Sequence, residues 1–529
     1  MAFLGMDAIR QVGLQRFSEL YHWPISDAEY RLFVDSILEQ FESILVSADQ
    51  DVFDLVIADY RFVMFIIQHI HHNAASVRFD TSGRPSSNDL SLMEFINPDW
   101  QSHFKYLSDS NIHSGHFGNP RRNIKSQVGH HARRLVQSAR VNPMSSLMRL
   151  LTLGRQEADH ISIGLFTKFL QEFLSARDEV TYVTEWDEFG IMPVHPDSTF
   201  QHRVTAQFID PFLDTLIQNA HAIGGSVDFS AISEAFLTRV TILNGHYKYF
   251  LNISRPPSTI SLTAAGNPLR KTLATALSRL GTKTFVLHHG DCPGVERYPH
   301  AHRNDGSWCD FFVCPTQKIT DNFRENYASS RLAQHVGTEY ICSPASHYQS
   351  LRERYRPRSR AQSRTFTVML IGFPMNHLRY LDGAGYFYYF QLDLQYRVCL
   401  LIKKLGYRLV YKIHPDRAAE VGSLFAPVAD SLEQRPFEET WDTADYYVFT
   451  YPGSTIFGHT ILTTKPMLLI DLESNNWNRR GYQLLTPRCH MVRSQFDQDN
   501  RIVFDEDEFA EKLARPLPLD DSYVNEFLL

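Results

Sequence analysis

The chain has 529 residues, with 52 Lys+Arg against 59 Asp+Glu, so its formal net charge is −7. Hydrophobic residues at 43% and charged residues at 21% exclude a disordered, collagen-like or small disulfide-stapled chain. The mildly acidic balance excludes a nucleic-acid binder that works by neutralising many phosphates, and the length suggests about three folding units.

Residues 1–250 read as a mainly helical region with a few strands. Apolar residues recur at helical spacing over Asp27–Val46, Met144–Leu151, Ile163–Leu174 and Ser230–Leu243. The N-terminal run lacks the apolar region and cleavage site of a signal peptide. The most apolar stretch, Phe62–Ile70, is interrupted by Gln68 and His69 and is too short to span a bilayer. The six cysteines, Cys292, Cys309, Cys314, Cys342, Cys399 and Cys489, read as reduced core thiols. Together these features point to a soluble, cytoplasmic chain. His69, His71 and His72 read as a helix end, and His130-His131 with Arg133 and Arg134 as a solvated face.

From Thr259 the pattern becomes alternating strand and helix. Thr259–Thr263 is a short strand, Leu269–Leu280 a helix stopped by Gly281, and Lys283–Leu287 a second strand. Trp308–Cys314 and Thr316–Tyr327 repeat the pair, which predicts βαβ units and a parallel sheet over 251–350. Six arginines between Arg352 and Arg364, with Pro357, mark a linker at 351–365. The alternative for that strip is contact with an anionic lipid surface, making the chain peripheral at the inner membrane.

A second α/β series fills 366–529. Phe366–Gly372 is a strand, Phe387–Leu405 a helix stopped by Gly406, and Arg408–Ile413 a strand. Tyr446–Thr450 is a strand, Ser454–Leu462 a helix and Pro466–Asp471 the next strand. The expected fold is therefore two Rossmann-like lobes facing a cleft, with a helical N-terminal elaboration. Ligands of such sheets lie beyond the carboxyl ends of the strands. The aromatic run Tyr386–Phe390 reads as core and interdomain packing, with a sugar-stacking platform as its alternative.

Three motifs sit at predicted strand ends. Lys412-Ile413-His414-Pro415 carries an imidazole out of a strand, with Pro415 fixing the turn. Tyr451-Pro452-Gly453-Ser454-Thr455 opens a helix with two hydroxyls, a chemistry suited to an anion without a metal. It lacks the spacing of a phosphate-binding P-loop. His288-His289-Gly290-Asp291 offers a carboxylate and a proton carrier in the first lobe. A second acidic candidate is Thr184–Gly190, which contains Glu185 and Asp187. His300, His302 and Arg303 read as a polar loop lining the cleft. With Cys292, Cys309 and Cys314 the two histidines make a loose ligand set whose spacing matches no common zinc pattern, so no metal is assigned.

In order and position these motifs resemble GT-B glycosyltransferases, specifically bacterial capsule and lipopolysaccharide enzymes that use CMP-activated sugars, such as Kdo transferases and sialyltransferase-like enzymes. The resemblance covers roughly Thr259–Asp471. It implies that His414 and Pro415, with Ser454 and Thr455, bind the CMP phosphate, Lys412 and Gly453 lying beside them. It also implies transfer of Kdo or a related 2-keto sugar acid to a glycan or lipid-linked glycan acceptor, with no cofactor beyond the donor. Asp291, then Glu185 and Asp187, are the carboxylates for nucleophile or base, with His289 beside them. His288, His300, His302 and Arg303 would meet the substrate. CDP-glycerol glycerophosphotransferases share part of the pattern and remain the alternative, followed by a non-catalytic glycan- or nucleotide-binding module.

Overall fold

The computed structural model describes residues 6–81, 159–164, 167–177, 179, 181–184, 197–263, 267–289, 299–356, 366–375, 387–415 and 418–529. It is an α/β structure built on two sheets. The first has six strands, β1 (His160–Gly164), β2 (Thr181–Thr184), β3 (Thr259–Thr263), β4 (Lys283–Leu287), β5 (Phe311–Cys314) and β6 (Glu339–Cys342). They lie in the order β2-β1-β3-β4-β5-β6 and every pairing is parallel.

The second sheet contains β7 (Thr367–Ile371), β8 (Arg408–Lys412), β9 (Ser431–Glu433), β10 (Tyr446–Phe449), β11 (Met467–Leu472), β12 (His490–Phe496) and β13 (Ile502–Phe504). Its order is β13-β12-β11-β10-β7-β8-β9, and only the β12–β13 pair is antiparallel. Counting from β7, the parallel strands run 6-5-4-1-2-3, compatible with a Rossmann-like sheet. The direction in which strands are added reverses between β7 and β10, and in the first sheet between β1 and β3. Each reversal opens a crevice at the carboxyl edge.

Local chemistry explains the element ends. Helix Pro268–Arg279 starts on Asn267, whose side chain accepts from the amides of Leu269 and Arg270, with Pro268 in the first turn. It stops at Gly281, whose φ of 92° a residue with a Cβ adopts only at a cost. At Gly164 the demand is steric as well. Its φ is 111°, and a Cβ there would stand 2.2 Å from the Thr263 carbonyl oxygen.

The expected helix over Ile163–Leu174 is corrected. Ile163 belongs to strand β1, and helix Lys168–Ser175 follows on an N-cap from Thr167. With His160, Ile161, Ser162 and Ile163 all buried, this five-residue strand carries no periodicity that separates it from a helix turn. The histidines expected at a helix end lie within helix Tyr60–Thr81 instead, and His71 and His72 are buried against Trp23. Met144–Leu151 and His130-His131 lie outside the described residues.

The N-terminal helices do two jobs. Helices Gln50–Ala58 and Phe229–Leu251 pack against helix Pro268–Arg279, and Asp27–Val46 and Asp210–Ala222 pack on each other and on those two. Asp54 accepts both arms of Arg279 at 2.7 and 2.8 Å and the Tyr247 hydroxyl at 2.8 Å. Asp59 is fully buried and holds Arg239 in a two-pronged ion pair, whose guanidinium lies 4.6 Å from the Phe62 ring. Helix Met6–Glu19 instead packs on helix Tyr388–Lys404 under the second sheet. There Ser18 donates to Asp393 at 2.7 Å and Phe17 meets Tyr389 edge-on at 4.9 Å.

The aromatic run resolves the same way. Phe387, Tyr388, Tyr389 and Phe390 are buried against Trp23 and Phe17, so these rings are core rather than a sugar platform. Arg352 and Arg354 belong to helix His347–Arg354, and Arg352 pairs with Asp521; residues 357–365 lie outside the described set. No helix among the described residues is long and apolar enough to cross a membrane.

Candidate functional site

Strand order brings the two motifs of the second sheet to one edge. β7 lies between β10 and β8, so the turn after β10 and the turn after β8 flank the end of β7. Two strand spacings separate them, about 10 Å across the sheet. His414 is half-buried and Pro415 exposed. Ser454 is buried at the N-cap of helix Thr455–Ile461, its hydroxyl oxygen accepting from the Ile456 amide at 3.1 Å. A hydroxyl used as an acceptor keeps its proton to donate. Gly453 is half-buried and Thr455 exposed.

Lys412, at the end of β8, is buried and donates to the Ile413 carbonyl at 3.4 Å. Burial lowers its pKa, opposed by the nearby carboxylates of Glu433 and Glu438. Helix Thr455–Ile461 is anchored by the residue that ends helix His347–Arg354, because the Tyr355 hydroxyl and His459 Nδ1 share a hydrogen bond of 2.6 Å.

Beneath this edge lies a buried polar network that the sequence motifs do not contain. Gln395 donates to the Ile371 carbonyl at 3.3 Å and to Thr450 Oγ1 at 2.9 Å. Its carbonyl oxygen accepts from the Phe373 amide at 3.3 Å and the Tyr411 hydroxyl at 2.7 Å. Thr450 in turn donates to Gln391 at 2.6 Å. One glutamine therefore ties together the ends of β7, β8 and β10. Gly372 completes the joint: a Cβ there would stand 2.6 Å from the Lys412 carbonyl oxygen and 2.9 Å from the Tyr411 hydroxyl. The available signal was Gln391 and Gln395 at i, i+4 on an otherwise apolar helix face.

At the first sheet the picture differs more from expectation. His288 leaves β4 with its amide on the Val313 carbonyl at 2.9 Å and its ring 5.2 Å from Phe323. His289 is exposed, and its Nδ1 lies 3.5 Å from Asp305, a carboxylate the sequence reading did not single out. Beside that pair Lys271 is buried, donates to Asn304 at 2.8 Å, and has its pKa pushed down to about 7, mainly by burial. Asp305 and Asp59 oppose that shift, while Arg61 adds to it.

His302 and Arg303 are not in a polar loop. Both belong to helix Pro299–Asp305. His302 is buried, stacked 4.2 Å from Tyr327 and hydrogen-bonded through Nε2 to the Tyr340 hydroxyl at 2.8 Å. Burial, with Arg303 adding to it, pushes its pKa down to about 3. Arg303 is paired with Glu42 of helix Asp27–Val46, so it serves packing between elements. Burial holds the thiols of Cys309 and Cys314 well above their ordinary pKa, keeping them protonated. His300 lies on the same helix as His302. Asp291, Glu185, Asp187 and Cys292 lie outside the described residues.

No protein-family model and no curated protein matches this chain.

Proposed function

We propose that this chain is a metal-independent glycosyltransferase of GT-B type, holding a CMP-activated sugar at the carboxyl edge of the second sheet. The transferred group is Kdo or a related 2-keto sugar acid, and the acceptor a surface-polysaccharide or lipopolysaccharide glycan. The observation that carries this reading is the meeting of His414 and Ser454 on either flank of β7, at the point where strand order reverses. Such a crevice is where open α/β sheets bind nucleotides. A hydroxyl, an imidazole and backbone amides there stabilise the negative charge that grows on a departing nucleoside phosphate. The nucleotide identity comes from the resemblance of the motifs.

The acceptor hydroxyl must lose a proton as it attacks the sugar. Asp291, two residues along the chain from His289, is the proposed base, and the His289–Asp305 pair is suited to relay a proton. Calorimetric titration with CMP, CDP and UDP tests the donor site. Binding of CMP and CDP well above UDP is expected, and equal binding overturns the nucleotide assignment. His414→Ala and Ser454→Ala should each lower turnover by tenfold or more with a CMP-sugar, by loss of a charge-assisted hydrogen bond. A screen of CMP-Kdo, CMP-sialic acid and CDP-glycerol identifies the transferred group, and turnover of CDP-glycerol alone makes the chain a glycerophosphotransferase.

A further inference from the structure

A cavity of about 750 Å³ opens further along the same carboxyl edge of the second sheet, beyond the turn that carries Ser454, lined by the ends of β11 and β12, by β13 and by helix Arg479–Leu485. Its volume falls within the range of small-ligand sites. We propose that this cavity binds an acidic sugar residue of an oligosaccharide. The inference rests on the cavity and does not depend on the transferase reading; under that reading it seats part of the acceptor chain.

The wall is preorganised. Asp471 is buried and accepts from the Trp477 indole at 2.8 Å and from the Asn475 amide at 3.1 Å. These bonds fix the Trp477 ring, which meets Tyr482 edge-to-face at 5.0 Å. The two rings offer an apolar surface of the size of a pyranose face. Burial raises the Asp471 pKa, and its bonded oxygen marks it as a support for the wall.

The polar groups are what an acidic sugar needs. Arg479 and Arg493 line the cavity, are exposed, and form no ion pair among the described residues. A guanidinium matches a carboxylate with two parallel hydrogen bonds. Of the acids in the lining, Asp505 is committed to the amides of Asp507 and Glu508 at 2.9 Å each and Asp471 to Trp477 and Asn475, while Glu473 is exposed to solvent. An inorganic anion would leave the rings unused, and an apolar ligand would leave the guanidiniums unused.

The test is saturation-transfer NMR on the full chain, with trigalacturonic acid, N-acetylneuraminic acid and Kdo as probes and maltotriose and inorganic phosphate as controls. Transfer is expected to ring C–H protons of an acidic probe at millimolar concentration, with maltotriose weaker by tenfold or more. R479Q/R493Q should weaken binding about tenfold or more while leaving the circular dichroism spectrum unchanged, because both side chains are exposed. Absence of transfer to every acidic probe overturns the inference. So does maltotriose binding as tightly as the acids, or an affinity unmoved by the double variant.

Discussion

Gln395→Met is the sharpest probe of how the second sheet holds its carboxyl edge. Methionine is close to glutamine in length and shape, so the change removes hydrogen bonds with little change of volume. Four bonds vanish, to the Ile371 carbonyl, Thr450 Oγ1, the Phe373 amide and the Tyr411 hydroxyl. Thr450 retains Gln391 as its acceptor at 2.6 Å, so its loss is small. Tyr411 is 0% exposed, and Gln395 is the acceptor for its hydroxyl, which is stranded by the change. A stranded buried hydroxyl costs about 1–3 kcal/mol and each ordinary bond about 0.5–1.5 kcal/mol net, so a loss of roughly 2–4 kcal/mol is expected. Hydrogen–deuterium exchange of the peptide spanning β7 reads this locally, as a protection loss of roughly 30- to 1000-fold. Tyr411→Phe added to Gln395→Met removes the stranded hydroxyl, so the double variant should recover about 1–2 kcal/mol. A loss below about 1 kcal/mol, or no coupling between the two substitutions, refutes the role assigned to the network.

The remaining predictions concern the frame. Gly164→Ala should abolish soluble expression or lower the melting temperature by many degrees, since the new Cβ would lie 2.2 Å from a backbone oxygen of the neighbouring strand; a parent-like melting curve contradicts this. Stability should fall as pH drops below about 6.5, because the unfolded His302 takes up a proton there while the folded ring stays neutral down to about 3. The contribution is complete above pH 6.5 and declines by about 1.4 kcal/mol per unit below it. His302→Phe should flatten that slope between pH 6.5 and 5 in urea titrations, and an unchanged slope assigns the acid sensitivity elsewhere.

Where the chain punctuates itself, its sequence was enough to place elements. Thr259–Thr263 and Lys283–Leu287 fall where short β-rich runs are bounded by turn residues, and Asp27–Val46 follows a Ser26 capping box. The helix stops at Gly281 and Gly406 are real positive-φ turns. Strand β1 was hidden because its neighbour β3 is a hundred residues away, so nothing local signals the pairing. Strands β12 and β13 pair locally, Leu468 with His490 and Ser494 with Phe504, but their alternating polar residues resemble a loop.

Site legibility divides by the same logic. His414, Ser454 and their strand ends were visible as punctuation after apolar runs. Gln395 was not, because a buried glutamine and a solvated one look alike on a helix until three strand ends converge on it. His302 was misplaced for the opposite reason: a run of His, Arg, Asn and Asp reads as solvent-facing, yet its ring is packed under Tyr327.

The crossing of the chain's ends has a temporal meaning. Ser18 waits for Asp393, 375 residues further on, and for Arg501 beyond it. At the ordinary pace of synthesis, Phe17, Tyr21 and Trp23 stand on a ribosome roughly 20–75 s before their pocket exists. Residues 316–318 then wait in the same way for Glu526 and Phe527. Residues 17–23 are therefore made well before the segments that shelter them, and in that interval their apolar side chains are open to any partner that covers them.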